Sequence, residues 1–197
     1  MREFILFTHK AVTSDFSLND LPSAGRMDLV CRCISSALFI SEAIRKDTSI
    51  HVVLNGPPSP PKTVSFFGSE VRNLYPDERT IASFIRIALR KSFKLKGKEE
   101  IQIFPGLKIS RKSFEDLIKE REGKSQLIYL HKDGKDFREF EFKENLTIVL
   151  GDQKGLDKKA EKFLERFKAE KVSLGKVEYL ASSCISIIHN ELDRRGL

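Results

Sequence analysis

A chain of 197 residues, 40% of them apolar and 32% charged, has the composition of a folded globular protein. It is long enough to bury roughly 70% of its unfolded surface in a single domain spanning residues 1–197. No apolar run approaches the roughly 18–20 residues of a membrane span, and the opening Met1-Arg-Glu-Phe-Ile-Leu-Phe is too short for a signal peptide, so a cytoplasmic location without a membrane partner is expected.

In chain order, Glu3–Thr8 reads as a strand and Ser14–Leu21 as an irregular loop. Asp28–Lys46 reads as a helix with Leu29, Cys33, Ala37, Ile40 and Ile44 on one stripe. Ile50–Leu54 is the next strand, closed by the breaker Asn55-Gly-Pro-Pro-Ser-Pro-Pro61, and Thr63–Phe67 pairs in a short hairpin. Thr80–Lys91 is a helix and Ile101–Phe104 a short strand. Ser113–Glu122 is a helix, with Ser113 as its cap and Asp116 at the third position. Strands at Leu127–Leu130 and Leu146–Leu150 flank a polar segment with Lys132-Asp-Gly134. A helix at Leu156–Ala169, a strand at Val172–Leu174 and a helix at Val177–Arg195 complete the chain. Strands alternating with helices predict an α/β fold, a mostly parallel sheet with helices on both faces.

Two places bear on chemistry. The apolar β-branched run Asn145–Leu150 ends in Gly151-Asp-Gln-Lys-Gly155, and Val172-Ser-Leu-Gly175 makes a second strand-to-glycine turn before the last helix. Two such turns at strand carboxyl ends line one pocket. Neither is a dinucleotide fingerprint nor a triphosphate loop. A metal is not expected: Cys31 and Cys33 lie two apart in a helix and point to opposite sides, His51 offers no ligand spacing, and three cysteines make no disulfide framework. None of His9, His51, His131 and His189 has an acid–base partner near it in sequence, and each reads as structural.

The net charge of +7 is concentrated. Between Arg86 and Lys112 stand nine cations (Arg86, Arg90, Lys91, Lys94, Lys96, Lys98, Lys108, Arg111, Lys112) against Glu99 and Glu100. Arg79, Arg86 and Arg90 fall on one helical face, opposite Ile81, Phe84, Ile85, Ala88 and Leu89. With no acid at i,i+4, the face reads as a phosphate contact rather than a merely solvated surface.

Read in order, Phe4-Ile-Leu-Phe-Thr-His9, Leu21-Pro-Ser-Ala-Gly-Arg26-Met-Asp28, Leu54-Asn-Gly-Pro-Pro58, Val149-Leu-Gly-Asp152, Ser173-Leu-Gly175, Cys184 and His189-Asn-Glu-Leu-Asp193 give a chain that resembles the SPOUT class of RNA methyltransferases, in its pseudouridine N1-methyltransferase branch. The tract Leu174–Asp193 is more similar to the tRNA members than to the rRNA ones. The resemblance implies a C-terminal deep trefoil knot, a homodimer, S-adenosyl-L-methionine as cofactor, and methylation of N1 of pseudouridine-54 in the T-arm of tRNA by in-line transfer. An rRNA pseudouridine target, or a non-catalytic RNA-binding assembly role, is the alternative.

It also implies site residues. Leu130, Gly151, the stretch Leu174, Gly175, Lys176, Val177, Glu178 and Tyr179, and Cys184 hold the cofactor. Asp28 is the catalytic candidate facing the base, against the plain reading of an aspartate that caps a helix. Arg26, Asn55, Arg72 and Arg86 contact RNA. Asp152 faces either the sulfonium or solvent. Cys184 also belongs to a stripe with Val177, Leu180, Ala181, Ile188 and Leu192, which predicts packing rather than reactivity.

Overall fold

The computed structural model describes all 197 residues. Its strands are β1 (Arg2–Thr8), β2 (Phe39–Ile40), β3 (Ala43–Ile44), β4 (Thr48–Leu54), β5 (Lys62–Phe67), β6 (Ile101–Phe104), β7 (Leu107–Ser110), β8 (Gln126–Asp136), β9 (Leu146–Gly151) and β10 (Glu170–Ser173). Its helices are α1 (Met27–Leu38), α2 (Glu78–Lys91), α3 (Phe114–Arg121), α4 (Lys158–Arg166) and α5 (Ala181–Arg194). One sheet takes eight strands in the order β10-β8-β9-β1-β4-β5-β7-β6. The first five are parallel; β5, β7 and β6 extend the sheet antiparallel at one side.

β1 sits at the centre because its apolar run is continuous. Phe4 pairs with Ile50 on one side and Ile148 on the other, and Phe4, Ile5 and Leu6 are fully buried. A strand covered on both faces needs apolar residues at successive positions. Phe4 and Leu6 face a core shared with α1, α2 and α5; Ile5 faces a smaller core built with α3 and α4.

Helix starts follow their capping residues. Asp77 accepts from the Thr80 backbone at 2.8 Å, so α2 begins two residues earlier than its apolar periodicity suggests. Ser113 and Asp116 form the expected capping box, and Asp157 caps α4. Three helices are shorter than expected; α4 loses both ends, with Asp157 as its N-cap and Phe167 as its C-cap. α1 ends at Leu38, and residues 39–44 form the small hairpin of β2 and β3, leaving Ile40 exposed and Ile44 only partly buried. Apolar residues four apart fit a helix and a tight hairpin alike over so short a stretch. α5 starts at Ala181, so Val177 and Leu180 belong to an exposed irregular segment and not to a buried stripe. Its buried side is Ala181, Ile185, Ile188, His189 and Leu192.

His189 ties α5 to the sheet. Its Nε2–H donates to the Ala37 carbonyl at 3.0 Å, its Nδ1 accepts from Arg2 at 2.9 Å, and the ring lies edge-on to Phe4 at 5.0 Å. Burial, with the charges of Arg45 and Arg2, lowers its pKa from 6.5 to about 4. Between those values the unfolded chain binds a proton that the folded chain does not, so stability rises with pH across that window and is lost as pH falls from 6.5 toward 4. The expected loss is about 3 kcal/mol. Unfolding midpoints of the wild type and His189→Gln from pH 4 to 7 should differ in slope, the variant being flatter; parallel curves would refute this assignment.

Candidate active site

The β8–β9 ladder stops at the pair Tyr129–Val149, although β9 runs on to Gly151. Beyond that point β8 pairs with β10 alone, through an irregularity between Lys171 and Val172. β8 and β9 therefore part at their carboxyl ends, the usual place for a ligand in an open parallel sheet. Leu130, partly buried, follows the last residue of β8 that pairs with β9.

Gly151 needs to be glycine because the chain doubles back on itself. A Cβ there would lie 2.1 Å from the Gly155 carbonyl carbon, in a turn closed by Gly155 N–H donating to Asp152 O at 2.8 Å. Asp152 neither faces solvent nor points outward. Its carboxylate accepts from the His9 backbone at 2.8 Å, from His9 Nδ1 at 2.9 Å and from the Lys154 backbone at 2.9 Å. His9 thus has the acidic partner that its sequence neighbourhood lacks. With Nδ1 bonded to Asp152, its Nε2 is left with no protein partner. No sequence signal joins two residues 143 apart.

At the same edge three chain segments meet around one carbonyl. A Cβ on Gly25 would fall 1.7 Å from Lys10 O, and one on Gly56 would fall 2.2 Å from the same atom. These two glycines let the exits of β1 and β4 and the start of α1 pack backbone to backbone. Asn55 fastens the joint, its Nδ2 donating to Thr8 O at 2.8 Å. Gly25 and Arg26 both have positive φ (71° and 69°). For arginine that conformation costs roughly 1–3 kcal/mol and persists only where its surroundings impose it.

The turn sends the Arg26 side chain back onto Asp28 as a two-bond fork, both at 3.0 Å. Arg32 adds a third bond to Asp28 at 2.8 Å and reaches Glu78 at 2.9 Å. Asp28 makes no capping bond; it lies buried between two guanidinium groups. The bond from Arg26, opposed by burial and reinforced by Arg32, lowers its pKa to about 2. Arg26, by contrast, stays well exposed.

The segment Leu174–Leu180 lies next to β10. Gly175 has φ +110°, the N–H groups of Lys176 to Leu180 have no backbone partner, and Val177 is 62% exposed and Tyr179 49% exposed. Cys184, at the second turn of α5, donates its thiol to Tyr179 O at 3.7 Å, and burial pushes its pKa up, which suits packing rather than nucleophilic chemistry. Apolar walls at Leu130 and Leu174 together with unpaired backbone N–H groups fit an adenosine, which needs an apolar slot for its ring and hydrogen bonds at its edges.

Two expected RNA contacts stand elsewhere. Arg72 follows Gly68, whose N–H donates to Thr48 O at the amino end of β4, on the far side from Asp28. The arginine face of α2 has partners after all, from the loop before α1. Asp15 accepts from Arg90 at 2.9 Å and lies 3.9 Å from Arg86, and Asn19 accepts from Arg79 at 2.9 Å. An acid 71 residues away is invisible to an i,i+4 search. A separate cavity of about 600 Å³ opens at the amino ends of the strands, between Met1, Arg121 and Asn145, and contains none of the residues above.

The whole chain, residues 1–197, matches the family described as "Putative SAM-dependent RNA methyltransferase". A tRNA (pseudouridine(54)-N(1))-methyltransferase of Methanocella arvoryzae is 46% identical over 197 residues, covering 99% of this chain and 100% of the relative. The protein of the same description from Methanocaldococcus jannaschii is 44% identical over 204 residues, covering 100% and 98%. Among solved structures, Archaeoglobus fulgidus Nep1 bound to S-adenosylhomocysteine superposes with a TM-score of 0.64 over 100% of both chains at 12% identity, a likeness of fold. With full-length identity at this level, the chain belongs to the family of S-adenosylmethionine-dependent RNA methyltransferases that includes the archaeal tRNA (pseudouridine(54)-N(1))-methyltransferases.

Proposed function

We propose that this protein methylates N1 of pseudouridine-54 in the T-loop of tRNA, with S-adenosylmethionine as methyl donor. The observation that carries the reading is the full-length likeness to relatives of that description, 46% identical in the first case. The glycine turn of β9 and the Arg26–Asp28–Arg32 cluster at one sheet edge supply a place for it. Bound S-adenosylmethionine supplies an electrophilic methyl group on a sulfonium. Leu130, Leu174 and Cys184 wall the adenosine, and the backbone of Gly151 and of Gly175 to Tyr179 gives it hydrogen bonds.

Arg26 meets an RNA phosphate or the base, and Asn55, whose Oδ1 is free, accepts from a base N–H. Asp28 works by holding Arg26 and Arg32 in place; a carboxylate of pKa about 2 is a weak base. The N1 proton of the alkylated ring is strongly acidic and leaves to water. Most of the acceleration comes from fixing donor and nucleophile in line in a desolvated pocket. The His9–Asp152 pair braces that geometry, since it ties the cofactor turn of β9 to the exit of β1.

The proposal extends to architecture: one domain, a trefoil knot and a homodimer working in the cytoplasm, where tRNA is. Arg195, just after α5, donates to the carbonyls of Phe137, Arg138 and Phe140, which supports a C-terminal helix gripped by the loop after β8, as a knot requires. The exposed Val177, Tyr179 and Leu180 supply apolar surface for a second subunit beside the cofactor segment.

Labelled S-adenosylmethionine offered with two matched T-arm RNAs, one carrying uridine and one pseudouridine at the target, tests the reaction. Transfer only to the pseudouridine RNA, mapped to N1, is expected. Cofactor binding without transfer to either RNA would overturn the target, and absence of cofactor binding would overturn the chemistry.

A further inference from the structure

The most exposed aromatic ring of the chain lies outside the site just described. Phe93 is 77% exposed and sits in a 3-10 turn, Ser92–Lys94, that follows α2. Its neighbours are anchored. Ser92 is buried and accepts a hydrogen bond from Lys62 Nζ at 2.8 Å, and Leu95 is buried in the main core. The ring is thus presented outward on a short turn anchored at both ends, so little backbone freedom would be lost on contact.

Its surroundings are cationic. Lys94 Nζ lies 5.8 Å from the Phe93 ring centre, and Lys91, Lys94, Lys96 and Arg111 are all exposed and have no carboxylate partner, unlike Arg90, Lys98 and Lys112 nearby. Lys62 itself is buried, donates to Thr13 O at 2.6 Å, and is held below its ordinary pKa by burial and by the charge of Arg111. Uncompensated cations on and beside the turn that carries an exposed aromatic ring, with Lys94 at the ring itself and Lys91 over Phe104 at 5.4 Å, make poor protein-contact chemistry and good nucleic-acid chemistry. Phosphates answer the charges, and every base has a face that stacks.

The position is also right. Lys62 pairs with Leu54, and Ser110 pairs with Thr63, so Lys62 and Arg111 stand at the same sheet edge as Asn55 and the Asp28 cluster. From β1 to β7 is three strand spacings, roughly 14 Å. We infer that Phe93 is a stacking platform for an RNA base, with Lys91, Lys94, Lys96 and Arg111 holding the flanking phosphates, so that the loop lies along the carboxyl edge with its target nucleotide in the pocket. This rests on the RNA methyltransferase reading above and adds where the substrate's neighbouring nucleotides go.

The chain contains no tryptophan, so Phe93→Trp installs a single emitter at the position in question. RNA affinity of the wild type, Phe93→Ala, Phe93→Leu and Phe93→Trp is measured by titration with the pseudouridine T-arm hairpin at fixed salt. Phe93→Ala and Phe93→Leu should each weaken binding about 5- to 100-fold. Phe93→Trp should bind like the wild type, and its emission should be quenched as RNA is added. The idea is overturned by wild-type affinity in Phe93→Leu, by unchanged tryptophan emission at saturating RNA, or by altered sedimentation of RNA-free Phe93→Ala, which would make the ring a contact between protein copies. Methyl transfer by the wild type judges the function and the Phe93 series judges the platform, so either can fail alone.

Discussion

Asp28→Ala is expected to lower methyl-transfer turnover by about a hundredfold while leaving S-adenosylmethionine affinity unchanged and RNA affinity within a few-fold. The reason is geometric. Asp28 receives three guanidinium hydrogen bonds, two from Arg26 and one from Arg32; without it the two cations repel each other and Arg26 loses its direction, while Arg32 keeps only Glu78. The variant is more positive, so RNA attraction is maintained while the base is misplaced. Displacement of reacting groups by about 1 Å is enough for an effect of this size. The pH profile provides a second check. With a pKa of about 2, Asp28 stays ionised throughout the working range, so turnover should show no acid limb between pH 4 and 6 from this group. Asp28→Asn, which can bond one guanidinium poorly and carries no charge, should fall between the two. Single-turnover rates and RNA titrations settle the matter: weakened RNA binding with normal turnover at saturation would sink this role.

The second large effect lies at the opposite edge of the sheet. Glu3 accepts a fork from Arg121 (2.8 and 2.6 Å) and a bond from the Thr147 hydroxyl at 2.9 Å, and it lies 2.8 Å from His51 Nε2. Burial would raise its carboxyl pKa, but the bonds from Arg121 and His51 outweigh burial and hold it well below the usual carboxylate range. Glu3→Ala takes the acceptor from His51 and leaves Arg121 only the more exposed Glu120 carboxylate at 3.0 Å, and removal of one partner from a largely buried pair costs up to about 3–5 kcal/mol. For a chain of this length that corresponds to a fall in Tm of roughly 6–20 °C. The carboxyl's depressed pKa means its contribution is complete above about 4.5, its unfolded value, and fades as pH falls below it. Glu3→Gln should therefore lose less stability than the wild type on acidification. Pairing Glu3→Ala with Arg121→Met should recover part of the loss. A Tm within about 2 °C of the wild type would contradict the network's importance. Methyl transfer well below the new Tm should be normal, because Glu3 lies at the amino ends of the strands and the site at their carboxyl ends.

Local features of the fold were legible in the sequence, and features set by distant neighbours were not. The buried runs at Glu3–Thr8, Ile50–Leu54 and Leu146–Leu150, the capping box at Ser113 and the glycine turns were legible because each depends on neighbours within a few residues. The motifs from His9 to Asp193, read together, also pointed to the family that full-length identity establishes. Three things were not legible. The hairpin after Leu38 and the late start of α5 depend on what the chain packs against; Arg45, just after the hairpin, is clamped by Asp193 at 2.6 Å, 148 residues on. The partners of His9 and of the α2 arginines, Asp152 and Asp15, are joined to them only by folding. Asp28 read as a catalytic candidate facing the base, against a plain helix cap, and only the left-handed turn at Arg26 revealed that it holds two arginines. Taken alone, the sequence determined the long strands and helices, though not β2, β3 or β7, together with the net charge and the family, since periodicity, capping and motif order are properties of short stretches and of their succession. The tertiary structure decided which charges are paired and which remain free, because an ion pair is set by distance in space and the chain brings together residues that its order keeps far apart.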